Sequence, residues 1–195
     1  MIFKPAYSLF LRMLEAGLVK SDHDLESILR LQKQNLKTNI TPQEKSSQGF
    51  VTMQFNLPML QGFHRLSPSI VVRNNGEVVA YALVVPLAGR ELYPSLESMF
   101  VNFSHIQWKG KSLYDYTFYV MGQVCIAKDW RGKGLFEMLY NTHRDLLSKD
   151  YDFVVTEIST SNHRSMRAHE RIGFQNIFRH RDELDDWVVV LWDWQ

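Results

Sequence analysis

The 195-residue chain sets 22 Lys and Arg against 21 Asp and Glu, a formal charge of +1, and is 45% hydrophobic. That balance argues against binding nucleic acid through a basic excess, and the apolar content argues against disorder. The one cysteine, Cys125, excludes an internal disulfide and a cysteine-built zinc site, so a reducing, cytoplasmic setting and no metal are expected.

The N-terminal stretch MIFKPAYSLFLRMLEAG is apolar but is interrupted by Lys4, Pro5 and Arg12. It lacks a small-residue cleavage site and does not read as a signal peptide. The segment from Tyr7 to Leu14 is expected to form a first strand. SDHDLESILRLQKQNL predicts a helix, because Leu25, Ile28, Leu29, Gln32 and Leu36 recur on one face and Ser21 or Asp22 can cap its start. Thr38 to Gly49 is polar and reads as a loop, and a second helical region is expected over Asn56 to Arg65.

SIVVRNNGEVVAYALVVP predicts a hairpin turning at Asn74, Asn75 and Gly76. Its apolar run, Val78 to Val85, is eight residues long, too short to span a bilayer, so no membrane partner is expected. The aromatic stretch from residue 87 to 112 reads as irregular, a substrate-side insertion or an oligomer contact. YTFYVMGQVCIAK predicts a long strand, with Gly122 marking a bulge or a close approach. A helix follows, with Leu135, Met138, Leu139, Thr142 and Leu146 on one face. After the strand YDFVVTEIST comes a helix capped by Asn162 and stopped by Gly173. FQNIFRH and WVVVLWDW close the chain as a hairpin, whose Trp187, Trp192 and Trp194 suggest edge packing or a subunit contact. No linker is evident, so one domain over residues 1–195 is expected.

The segment Arg131-Gly132-Lys133-Gly134 joins the long strand to a helix start, where backbone amides lack internal partners and favour an anion. Taken alone it fits either a pyrophosphate cradle or a basic turn with a free helix end. It is not a Walker loop, because Leu135 follows Gly134, and no G-x-G-x-x-G exists in the chain.

Arg131-x-x-Gly134 followed by NHRSMRAHERIGF resembles the GNAT superfamily of acyl-CoA-dependent N-acyltransferases. The family's cofactor motif is R/Q-x-x-G-x-G/A, and its next helix reads N-x-x-A/S-x-x-x-Y-x-x-x-G-F. Asn162, Ser165, Gly173 and Phe174 hold those places, and the resemblance covers about residues 69–195. It departs at two positions: Phe136 stands where the family has a small residue, and His169 where it has tyrosine.

The resemblance implies an α+β, three-layer fold with a mostly antiparallel central sheet, in which two diverging strands admit acetyl-CoA as cosubstrate. Main-chain groups of Val124, Cys125 and Ile126 would pair with the pantetheine arm. Amides from Gly132, Lys133, Gly134, Leu135 and Phe136 would hold the pyrophosphate, with Arg131 nearby, and Asn162 and Ser165 would lie beside the pantetheine. It also implies Glu157 as general base and His169 as proton donor to the CoA thiolate, acting on a small-molecule or peptide amine. A homodimer is compatible with it.

The competing readings are a non-catalytic CoA-binding sensor or scaffold, and an interaction domain that uses Leu92 to Trp108. Cys125 reads as a buried thiol rather than a nucleophile. His143, His163, His169 and His180 form no metal-ligand spacing.

Overall fold

A computed structural model describes residues 14–183 and 185–195. Most of the strand expected from Tyr7 to Leu14 lies outside the described residues. The first described strand, β1, is Leu14–Leu18, followed by helix α1 at Asp22–Asn35.

On α1, Leu25, Ile28 and Leu31 are buried, while Leu29 is only partly covered. Gln32 falls in the apolar phase for a physical reason. Its side chain donates to the Phe55 carbonyl at 3.1 Å and accepts from the Phe55 amide at 2.7 Å, which ties the next segment to the helix. The segment expected to be a loop instead contains helix α2, Pro42–Gln48. Thr41 and Glu44 form a reciprocal capping box and Pro42 fills the first turn, so local capping holds a helix that buries none of its own residues. Helix α3, Leu57–Leu66, matches the expected second helix.

Strands β2 (Ile70–Asn74) and β3 (Glu77–Pro86) turn through Asn75 and Gly76, both at positive φ. The aromatic stretch is more regular than its sequence suggests. It forms 3₁₀ turns, helix α4 (Glu97–Phe103) and a small hairpin of β4 (Gln107–Trp108) with β5 (Lys111–Ser112). Then come β6 (Phe118–Ile126), α5 (Leu135–Leu147), β7 (Phe153–Ser159), α6 (His163–Ile172), β8 (Gln175–Arg181) and β9 (Asp186–Asp193).

The main sheet has the order β1-β2-β3-β6-β7-β9-β8. Among the described strands of this sheet, only β6 and β7 pair in parallel; the other neighbours run antiparallel. Helices α1, α3 and α4 cover one face, with Leu25, Phe63 and Phe103 in its core. Helices α5 and α6 cover the other, over Tyr119, Val154 and Trp192.

Helix α5 buries Leu135, Leu139, Tyr140, His143 and Leu147, a stripe shifted from the expected one, and Leu146 is 45% exposed. The shift arises because two polar aromatic residues enter the core with hydrogen-bond partners. Trp187 and Trp192 are also buried, because β9 is flanked by β7 and β8 rather than lying at an edge.

Candidate active site

Strands β6 and β7 pair over only three positions, from Phe118 opposite Phe153 to Val120 opposite Val155. Beyond that, β6 keeps its ladder with β3 as far as Ile126, while β7 follows β9 as far as Ser159. The register of β3 on β6 slips between Leu83 and Val84, passing over Gly122. A Cβ at Gly122 would come within 2.7 Å of Val85 Cγ2, so the bulge requires glycine. The Thr156 hydroxyl donates to the Met121 carbonyl at 2.8 Å, the last tie before the strands part.

The gap opens into a cleft of about 540 Å³. One wall is the divergent end of β6, with Val124, Cys125 and Ile126. The next is the start of α5. Gly132 and Gly134 have φ of 72° and 81°, and a Cβ at either would meet nothing within 4 Å. Glycine is therefore needed there for a left-handed backbone rather than for room within the protein. Among the described residues, no side-chain cap bonds to this helix start at Gly134. The helix thus presents its first turn and its positive dipole end to the cleft, the arrangement that favours an anion.

Leu135 is buried and anchors this turn. Phe136 lines the cleft, and its ring packs on Tyr140 and His169 at centroid distances of 4.8 and 5.1 Å. Arg131 also lines the cleft, but its Nε donates to the Ile126 carbonyl at 3.1 Å and its Nη2 to Asn35. Lys133 lies outside the lining, with Nζ 5.3 Å from the centre of the Trp130 ring.

The facing wall is α6. Asn162 lines the cleft but is engaged by the protein: its Oδ1 accepts from the Ser165 amide at 3.2 Å and its Nδ2 donates to the Phe50 carbonyl at 3.1 Å. Ser165 lies beside it on the lining. Arg164, Arg167 and Arg171 also line the cleft and have no counterpart among the residues singled out from sequence. Their i, i+3, i+7 spacing on one helix face was the available signal. Burial, then the charges of Arg131, Arg167 and Arg171, lower the proton affinity of Arg164, which marks a locally cationic wall. The segment from Gln48 to Val51 closes the third side.

Of the two residues expected to be catalytic, Glu157 lies on β7 opposite Val189, on the same face as Val155. It is outside the cleft lining and only 12% exposed at its side chain. Burial raises its pKa above the ordinary carboxylate range, opposed by a hydrogen bond from His180 Nε2 at 2.8 Å.

His169 requires a correction. It is 2% exposed and does not line the cleft. Its Nδ1 donates to the Ser165 carbonyl at 2.9 Å, so Nε2 accepts from the Tyr140 hydroxyl at 2.6 Å. Burial pushes its pKa down to about 4. A proton donor to a departing thiolate needs a proton on a nitrogen that faces the cleft; the His169 proton is on Nδ1, engaged by the Ser165 carbonyl, and the ring does not line the cleft. The Cys125 thiol is pushed by burial up to about 12, so it stays protonated and is a poor nucleophile.

The profile of the Acetyltransferase (GNAT) family matches residues 38–174. The chain belongs to this family. Membership makes it an acyltransferase by class, with the mixed, mostly antiparallel sheet expected of that fold.

Among solved structures, it is similar to the ribosomal-protein-S18-alanine N-acetyltransferase from Escherichia coli, at 12% identity and TM-score 0.59, over 93% of this chain and 94% of that one. It is similar also to yncA from Salmonella typhimurium, solved with its cofactor acetyl-CoA, at 15% identity and TM-score 0.59, over 94% and 95%. The NatC complex bound to Gag peptide and CoA contains a chain similar at 9% identity and TM-score 0.62, over 93% and 99%. No curated protein matches in sequence. Among the described residues, no helix is long and apolar enough to cross a membrane.

Proposed function

We propose that this GNAT protein transfers an acetyl group from acetyl-CoA to a primary amine, with the cleft between β6 and β7 as the cofactor site. The observation that carries this reading is the parting of the two strands beside a helix start that no side-chain cap closes among the described residues. The residues present fit the group. Uncapped amides at the α5 start suit a diphosphate, Arg164, Arg167 and Arg171 suit its charge, and the β6 edge from Val124 to Ile126 suits an extended amide-bearing arm.

Acetyl-CoA supplies a thioester carbonyl as electrophile. The protein must hold that carbonyl close to a neutral amine and remove one proton. Glu157 takes that proton as the nitrogen–carbon bond forms. The carbon–sulfur bonding pair leaves with sulfur, which takes a proton from water; the hydroxide so formed takes the proton held by Glu157, so the products are the amide and CoA thiol and the carboxylate is restored. His169 anchors α6 against Tyr140 and supplies no proton. The E. coli and NatC structures are named for a ribosomal-protein alanine and a peptide respectively, which favours a peptide amine as acceptor here over a small molecule.

The test pairs calorimetric titration of CoA and acetyl-CoA with a thiol-release assay over a panel of peptide and small-molecule amines. Acetyl-CoA at 100 times its dissociation constant should stabilise the fold by ~2.7 kcal/mol. Absence of binding would reject the cleft assignment. Binding with no thiol release from any amine would leave a binding module in place of an enzyme.

A further inference from the structure

The carboxyl of Glu157 is held by a residue 23 positions later, on the far side of β9. His180 of β8 places Nε2 2.8 Å from Glu157 Oε1, and the two side chains are 11% and 12% exposed. The other ring nitrogen, Nδ1, lies 3.3 Å from Asn102 Nδ2 on α4.

These contacts point to one place for the imidazole proton. An amide nitrogen can only donate, so Nδ1 must accept, and the ring hydrogen resides on Nε2. Nε2–H therefore donates to the carboxylate. Asn102 belongs to the aromatic insertion, so the insertion reaches the site through this contact.

We propose that His180 is the positioning residue for the Glu157 base, with Asn102 fixing its tautomer, so that α4, β8 and β7 together present one free carboxylate oxygen to the acceptor amine. The proposal rests on the reading of Glu157 as base. Oε1 is occupied by the ring N–H, which restrains the carboxylate rotamer and leaves Oε2 to receive the proton. A base held in one pose avoids the loss of rate that follows a misplacement of about 1 Å. The imidazole gains and loses no proton in the step. The titratable groups bearing on Glu157 are His180 and Asp182 of the β8–β9 turn; β9 presents Val189 and α4 the neutral Asn102.

Two measurements decide the matter. Long-range proton–nitrogen correlation spectra of the imidazoles read the tautomer without any turnover. The expected result is a His180 ring with its hydrogen on Nε2 and Nδ1 accepting; a hydrogen on Nδ1 would overturn the proposal.

The second compares His180→Ala and His180→Gln in thiol release as a function of pH. His180→Ala should lower kcat ~10-fold or more and move the acid limb to higher pH, because the donor that favours the carboxylate is gone. Its acetyl-CoA affinity should stay within about twofold of the parent. His180→Gln keeps a neutral N–H donor and should restore the limb and much of kcat. An unchanged kcat and limb in His180→Ala would reject the positioning role. Equal loss in both variants would make the imidazole itself the base. If the parent protein fails to bind acetyl-CoA, the acetyltransferase reading falls, and the tautomer still reports on the triad independently.

Discussion

The rings of Phe136 and His169 meet edge to face, with centroids 5.1 Å apart and planes at 84°. These are the two positions at which the chain departs from the pattern of its family, and they touch. The ring that replaces a small residue at the α5 start is received by an imidazole whose own outer nitrogen ends on Tyr140 Oη. A tyrosine at 169 would need to extend into space that Tyr140 already fills, because the Tyr140 hydroxyl lies 2.6 Å from Nε2. The two departures therefore behave as one packing solution.

A double-mutant cycle tests that coupling. His169→Tyr alone should overpack the α5–α6 contact and destabilise the fold by ~1–3 kcal/mol. Phe136→Ala alone should lose a partly buried ring, at ~1–3 kcal/mol. The double variant should recover ~0.5 kcal/mol or more relative to the sum, as groups in contact do. Urea unfolding gives the three values, and additivity within ~0.3 kcal/mol would mean that the positions are independent.

Acid stability follows from two buried imidazoles. Burial holds His169 at about 4 and His143 at about 3, against an unfolded value of ~6.5. In the folded state both are neutral over a range where the unfolded chain binds a proton at each. Their contribution is complete above ~6.5 and is lost as pH falls, down to about 4 for His169 and about 3 for His143. Near pH 5 the two together should contribute a slope of ~2.7 kcal/mol per pH unit. Glu157, held high by burial, acts in the opposite sense. Urea midpoints between pH 6.5 and 4.5 measure the slope. His143→Gln should remove about one proton of it, and a flat profile would contradict the burial of both rings as neutral groups.

Much of this was legible in the sequence. The Asn162 cap and the Gly173 stop are set by local chemistry, and Gly122 signalled the bulge because a strand-interior glycine lacks a packing reason to be there. Helix α2 was legible too, since Thr41-Pro42-x-Glu44 is a capping box with proline at the first turn, but its polar composition read as loop. The fate of His169 was not legible. Whether a helical histidine faces a cleft or a core depends on the partner across the α5–α6 interface, here Tyr140, 29 residues away. The Glu157–His180–Asn102 contacts join three elements whose proximity only the sheet order and the insertion define.

The glycines around the cleft should separate by mechanism. Gly49 has φ 75° and ψ 175°, a region essentially confined to glycine, and a Cβ there would lie 2.9 Å from Asn162 Oδ1. Gly49→Ala should therefore cost ~2–3 kcal/mol and disturb the Asn162–Phe50 link. Gly134→Ala meets no neighbour and should cost ~1 kcal/mol, from backbone strain alone. Gly134→Asp adds a carboxylate at the free amides, and its acetyl-CoA affinity should fall ~10-fold or more. Calorimetry and urea unfolding together read both effects; unchanged affinity in Gly134→Asp would count against a diphosphate at this helix start.

Glu157→Gln removes the base while keeping an acceptor for the His180 N–H, so the fold and the acetyl-CoA affinity should hold. Loss of a positioned general base should lower kcat ~10²- to 10⁴-fold at neutral pH. The parent enzyme should show an acid limb in kcat/KM above the ordinary carboxylate range, because burial disfavours the ionised form of Glu157 and only that form can accept a proton. Activity therefore falls as pH drops through that raised value, and the limb should vanish in Glu157→Gln. A variant with parental turnover at neutral pH would remove Glu157 from the chemistry and leave the His180 contact as a structural tie between β7 and β8.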